Sequence, residues 1–103
     1  MADDKNDKTK GRPQGRIQVQ IDEPTAQGIY SNVVLLNHSE NEFVLDFGFV
    51  PPGTAVAKVR ARLIVTPRHA KRLLKALEHN VSRYESHHGV IDAKQRPGES
   101  IVN

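Results

Sequence analysis

Eleven residues, Ala55 to Val65, alternate strictly: Ala55, Ala57, Val59, Ala61, Leu63 and Val65 fall on one side, and Val56, Lys58, Arg60, Arg62 and Ile64 on the other. The run stops at Thr66-Pro67. A period of two over this length specifies a strand with one apolar face. Threonine is a good side-chain cap, and proline suits the first helical position because its missing N–H leaves no helix bond unmade. The chain therefore switches from strand to helix at Thr66. Beyond it Ala70, Leu73, Leu74, Leu77, Val81 and Tyr84 recur at spacings of three and four, which predicts a helix with one apolar stripe. His87-His88-Gly89 ends it, since imidazoles are tolerated at the negative end of the helix dipole and glycine suits the residue that follows.

Three further strands are expected upstream. Ile17, Val19 and Ile21 alternate with Gln18, Gln20 and Asp22, and the pattern ends at Glu23-Pro24. A second run, Ile29 to Leu36, is rich in aliphatic residues on both faces. The turn Asn37 to Asn41 then leads into a third run, Glu42 to Val50, and the two form a predicted hairpin. Pro51-Pro52-Gly53 separates that run from the strand described first. The expected fold is therefore α+β: a four-stranded antiparallel sheet followed by one long helix packed on one face of it. Phe43, Leu45 and Phe47 share the face of Ala61, Leu63 and Val65, and the helix is expected there.

Of the 103 residues, 27 are Ile, Leu, Val or Phe, enough for one small core. Residues 1–16 carry five basic and three acidic side chains and no apolar one larger than Met1, so a disordered charged tail is expected there. The folded domain is placed at 17–91 and a flexible C-terminal tail at 92–103. With no cysteine, disulfides, thiolate zinc sites and cysteine nucleophiles are excluded. No signal peptide and no membrane span is legible, and the expectation is a soluble cytoplasmic protein without membrane partners.

The formal charge of +3 conceals a segregation. Residues 17–57 hold five acidic residues and no Lys or Arg, whereas residues 58–75 hold seven basic residues and no acid. Lys58, Arg60 and Arg62 can pair across a hairpin with Glu42 and Asp46. Arg68, Lys71, Arg72 and Lys75 cannot, and they crowd the helix start, where the dipole favours acids. They are the candidate anion or nucleic-acid site. Against base recognition, the sequence lacks a spare set of stacking aromatics.

No catalytic, metal or cofactor site is expected. The five histidines lack the three-to-five-residue spacing of a zinc pair, the serines sit in no nucleophile elbow, and no glycine-rich phosphate loop is present. The face opposite the phenylalanines is expected to hold Tyr30, Val34, Leu36, Val44 and Ile64 among charged residues, although a one-residue slip in the second run would exchange its two sets. An apolar patch rimmed by charge is what an association surface looks like. The leading expectation is a non-enzymatic module that binds itself or another protein, with anion or nucleic-acid binding as the alternative.

The stretches Ile29-Tyr30-Ser31-Asn32, Glu42 to Gly48, and Thr66 to Leu74, together with Asn80, Tyr84 and Glu85 of the helix, resemble a prokaryotic family of short proteins classed as a domain of unknown function. The resemblance covers residues 17 to 91 and implies no activity. Four antiparallel strands followed by a long helix are also similar in topology, without a shared motif, to the export chaperone SecB. That second likeness implies assembly through sheets and helices and a hold on unfolded chains.

Overall fold

The computed structural model describes residues 17–94 and 100–102. Its elements are α1 (Glu23–Ala26), β1 (Val33–His38), β2 (Phe43–Phe49), β3 (Lys58–Val65), α2 (Pro67–His88) and β4 (Ser100–Val102). Strands β1, β2 and β3 form a three-stranded antiparallel sheet, and β4 adds a short parallel ladder to the outer edge of β1, in the order β3-β2-β1-β4. The fold is α+β, as expected. The expected charged tail, 1–16, lies outside the described residues. In the expected C-terminal tail, residues 95–99 and 103 also lie outside them, and residues 100–102 form β4.

Three expectations need correction. The antiparallel sheet has three strands, because residues 17–21 pair with nothing described and Ile17, Val19 and Ile21 are exposed. Alternation alone does not make a strand; it needs a neighbour to complete the ladder. The next residues turn into α1, with the Asp22 carboxylate accepting from the Thr25 N–H at 2.9 Å and Pro24 in the first turn. Second, β3 begins at Lys58, so Ala55 and Ala57 precede the sheet and are exposed.

The third correction concerns packing. Helix α2 does not lie on a sheet face: it contributes no buried residue, and the extensive contacts between elements all join strands to one another. Its local signals were sound. Thr66 Oγ1 accepts from the His69 N–H at 3.1 Å, Pro67 occupies the first turn, and Gly89 follows the helix at φ 94°, a conformation that costs glycine little. Capping and periodicity fix where a helix starts, stops and is apolar, but not what its stripe meets.

The register decides the two sheet faces. Val34 pairs with Phe47 and Leu36 with Leu45, while Phe43, Leu45 and Phe47 pair with Val65, Leu63 and Ala61. One face is therefore almost wholly apolar. The other holds Val33, Leu35, Val44, Asp46, Arg62 and Ile64. Between Phe47 and Gly48 the ladder slips by one residue of β3, a β-bulge that moves Val59 opposite Gly48. Among the described hydrophobic residues only Val33 and Leu45 are buried, and no large side chain is fully buried. The described residues thus form a sheet, a helix and very little core.

Candidate functional site

The hairpin of β1 and β2 is locked at its open end by two polar residues. Asn32 uses its side-chain amide as a backbone surrogate: Nδ2 donates to the Val50 carbonyl at 3.1 Å, and Oδ1 accepts from the Val50 N–H at 2.9 Å. Ser31 Oγ donates to the Gly48 carbonyl at 2.8 Å and lies 3.0 Å from that of Val33. Pro51 and Pro52 follow at once, so the ladder could not be continued by main chain alone. Tyr30 stands edge-on to Phe49, ring centres 5.7 Å apart. The expected second strand includes Ile29 to Asn32, but the ladder starts only at Val33; Ser31 and Asn32 precede it, and nothing local in the sequence signals a clasp 18 residues away.

On the mixed face Asp46 and Arg62 sit directly opposite each other in β2 and β3. The guanidinium donates twice, Nε to Oδ1 at 2.7 Å and Nη2 to Oδ2 at 2.9 Å, the fork geometry that arginine matches to a carboxylate. Asp46 is buried, while the Arg62 side chain remains largely exposed. The expected cross-strand pairing of the acidic and basic segments is thus present at this pair. The hydrogen bonds from Arg62 lower the Asp46 pKa, and Asp46 raises that of Arg62.

The sign of the resulting pH dependence follows from linkage. Unfolded, Asp46 titrates near about 3.9; folded, it holds its proton less tightly. The stabilisation is complete above the unfolded value and is lost as pH falls through the lower folded one. Urea midpoints of the native chain should therefore drop as pH is taken below about 4. Asp46→Asn should lower the midpoint at neutral pH and flatten that acid-side slope; an equally steep slope in the variant would assign it to other carboxylates.

The residues expected to form one association surface are divided by the observed register. Val34 and Leu36 lie on the phenylalanine face, Val44 and Ile64 on the face of Asp46, and Tyr30 precedes β1. The slip that sequence periodicity left open is the arrangement found: Val33 and Leu35, not Val34 and Leu36, join Val44 and Ile64. Ile64 is exposed, and so is Leu63 on the opposite face.

The larger apolar surface lies elsewhere. Leu73, Leu74, Leu77, Val81 and Tyr84, expected to be core, are all exposed along one side of α2. Leu74, Leu77 and Val81 floor a shallow furrow rimmed by Glu78, Ser82 and Glu85. At 3.6 residues per turn, Arg68, Lys71, Arg72 and Lys75 cluster on the opposite side of the helix axis, and all four are exposed. The structure therefore brings the basic candidates together on one outer helix face. It holds an apolar stripe and a basic stripe back to back.

A model of one protein family matches residues 1–93. The chain belongs to the family described as Protein of unknown function (DUF3467). Neither the curated proteins nor the solved structures contain a match to it. The likeness to SecB does not hold, because it rested on four consecutive antiparallel strands where three are present. Family membership assigns no activity, so geometry has to carry the functional reading.

Proposed function

We propose that this DUF3467 protein is a non-enzymatic interaction module that works as a homo-oligomer, its surface completed by a second copy of itself. The observation that carries the reading is the unpartnered apolar stripe of α2, from Leu73 to Tyr84. Monomeric proteins rarely leave a continuous apolar strip of this kind in water, and a stripe with charge on the far side of the same helix is how helices enter interfaces. Burial of such side chains is worth about 1.5 kcal/mol or more each, so water contact along the whole stripe would be costly. Among the described residues no helix is long and apolar enough to cross a membrane. A cytoplasmic location accompanies this reading.

Light scattering on the size-separated full chain tests it. The expected mass is a multiple of the 11.5 kDa chain, falling towards that value on dilution. A mass of one chain at every concentration contradicts the proposal.

One observation favours a second reading. Arg68, Lys71, Arg72 and Lys75 form a single exposed basic face where the dipole would prefer acids, an arrangement suited to an anion or to nucleic-acid phosphates. Titration of a labelled oligonucleotide at two salt concentrations checks it. Affinity that falls steeply with salt supports phosphate contact through counterion release, and no binding at low salt removes it.

A further inference from the structure

We infer that α2 pairs antiparallel with α2 of a second copy, an inference that rests on the oligomeric reading and specifies its interface. The first support is spacing. Ala70, Leu74, Leu77, Val81, Tyr84 and His88 follow one another at steps of four, three, four, three and four. These five steps average 3.6 residues, the period of the helix itself, so the seam stays on one side of α2 along its whole length, with Leu73 widening it on one flank. Tyr84 and His88, one turn apart on this seam, have ring centres 4.7 Å apart. The seam runs nearly the full length of a 22-residue helix, about 33 Å at 1.5 Å per residue.

The second support is charge, which also sets the direction. The first half of α2 holds Arg68, Lys71, Arg72 and Lys75 and no acid; the second half holds Glu78 and Glu85 on the rim of the apolar furrow, with Arg83 on the side of the helix away from the stripe. Parallel pairing would set the two basic halves side by side. Antiparallel pairing lays each basic half along the acid-rimmed furrow of the other copy. With Leu77 opposite Val81 and Leu74 opposite Tyr84, Lys71 comes beside Glu85 of the second copy, and this happens twice by symmetry. The same symmetry brings Glu78 close to Glu78 of the second copy near the axis, one unfavourable contact against two favourable ones. Arg68, Arg72 and Lys75 of both helices remain outside, away from the seam.

Within the same copy the exposed Ile17, Val19 and Ile21 are one rival cover, with a monomer as its signature, and the segments outside the described residues supply little. Residues 1–16 have no apolar side chain larger than Met1, and residues 95–99 have only Pro97. The apolar sheet face of the same copy is the other occupant to be tested, and its signature is a monomer.

Reversal of the two charges decides between these arrangements in the full chain. Lys71→Glu should weaken dimerisation roughly tenfold, since two attractive pairs become two repulsive ones. In the isolated helix the same change is favourable, because an acid near the N-terminus suits the dipole and pairs with Lys75 one turn on. Helicity by circular dichroism in dilute solution should therefore hold or rise while the dimer weakens, a split that a folding defect would not produce. Glu85→Lys should also weaken the dimer, and the double reversal should restore it to within about threefold. Glu85 Oε2 accepts from the Ile91 N–H at 2.9 Å, so Glu85→Gln, which keeps an acceptor, serves as the control for that contact. Glu78→Gln should tighten the dimer severalfold.

A dimer indifferent to Lys71→Glu, or a double reversal that fails to recover, overturns the antiparallel helix pair while leaving self-association intact. A native chain that is monomeric throughout overturns both.

Discussion

Leu77→Asp is expected to convert the proposed oligomer to monomer. Leu77 is at the centre of the stripe of α2, with Leu74 and Val81 on either side, and is exposed in the single chain. A carboxylate there therefore has little consequence for one isolated copy. In an interface it must be desolvated twice, once from each copy, with no basic partner within the seam. The dissociation constant should rise at least a hundredfold, which corresponds to about 2.7 kcal/mol. Light scattering at a concentration where the native chain is fully associated reads the change. Unaltered mass would place the interface away from α2. Arg72→Asp, on the opposite side of the helix, provides a matched acid that should leave the mass unchanged.

Gly48→Ala should have the largest effect on the folded state of the sheet itself. Gly48 is buried beside the bulge, and a methyl group placed on it would come within 2.8 Å of the Lys58 carbonyl oxygen and 3.2 Å of Val33 Cγ1. The first of these is backbone of the neighbouring strand and cannot rotate aside, so β3 would have to move away from β2. The Ser31 hydroxyl, which donates to the Gly48 carbonyl, would be disturbed with it. A loss of about 2 to 3 kcal/mol is expected, within the range for overpacking at a closed site. Urea denaturation measures it; a loss below about 0.5 kcal/mol, the level of an ordinary surface change, would show that the bulge can open freely.

These two predictions draw on features of unequal visibility in the sequence. The helix was readable to its ends because its determinants are local: a threonine cap, proline in the first turn, a glycine after the last residue. The hairpin was readable too, since a polar turn separates two apolar runs. What periodicity could not supply was the register of β1, because Val33, Val34, Leu35 and Leu36 satisfy either face equally. Nor could it show the bulge at Gly48 or the clasp of Asn32 on Val50, both of which depend on contacts between residues remote in sequence. Residues 17–21 show the reverse failure, a good strand pattern with no ladder to join.

The placement of the helix is the most instructive difference. An apolar stripe at helical spacing points to the nearest apolar sheet face, the usual solution in one domain. Here the stripe is as apolar as expected and has no cover among the described residues. The charge segregation gains a meaning from this. Basic residues at the start of α2 and acids towards its end are awkward for one helix but complementary for two that run in opposite directions. Between the strands, Asp46 and Arg62 form one ion pair across that charge contrast.

The central claim, that a second copy completes this fold, is tested most directly by the thermal midpoint of α2 as a function of chain concentration. Folding linked to association makes that midpoint rise with concentration by mass action. Circular dichroism melts across a hundredfold range of the native chain should therefore shift steadily upward, and the shift should vanish in Leu77→Asp. Superimposable melts of the native chain over the whole range would contradict the account, because they would mean that the helix is held by its own chain alone.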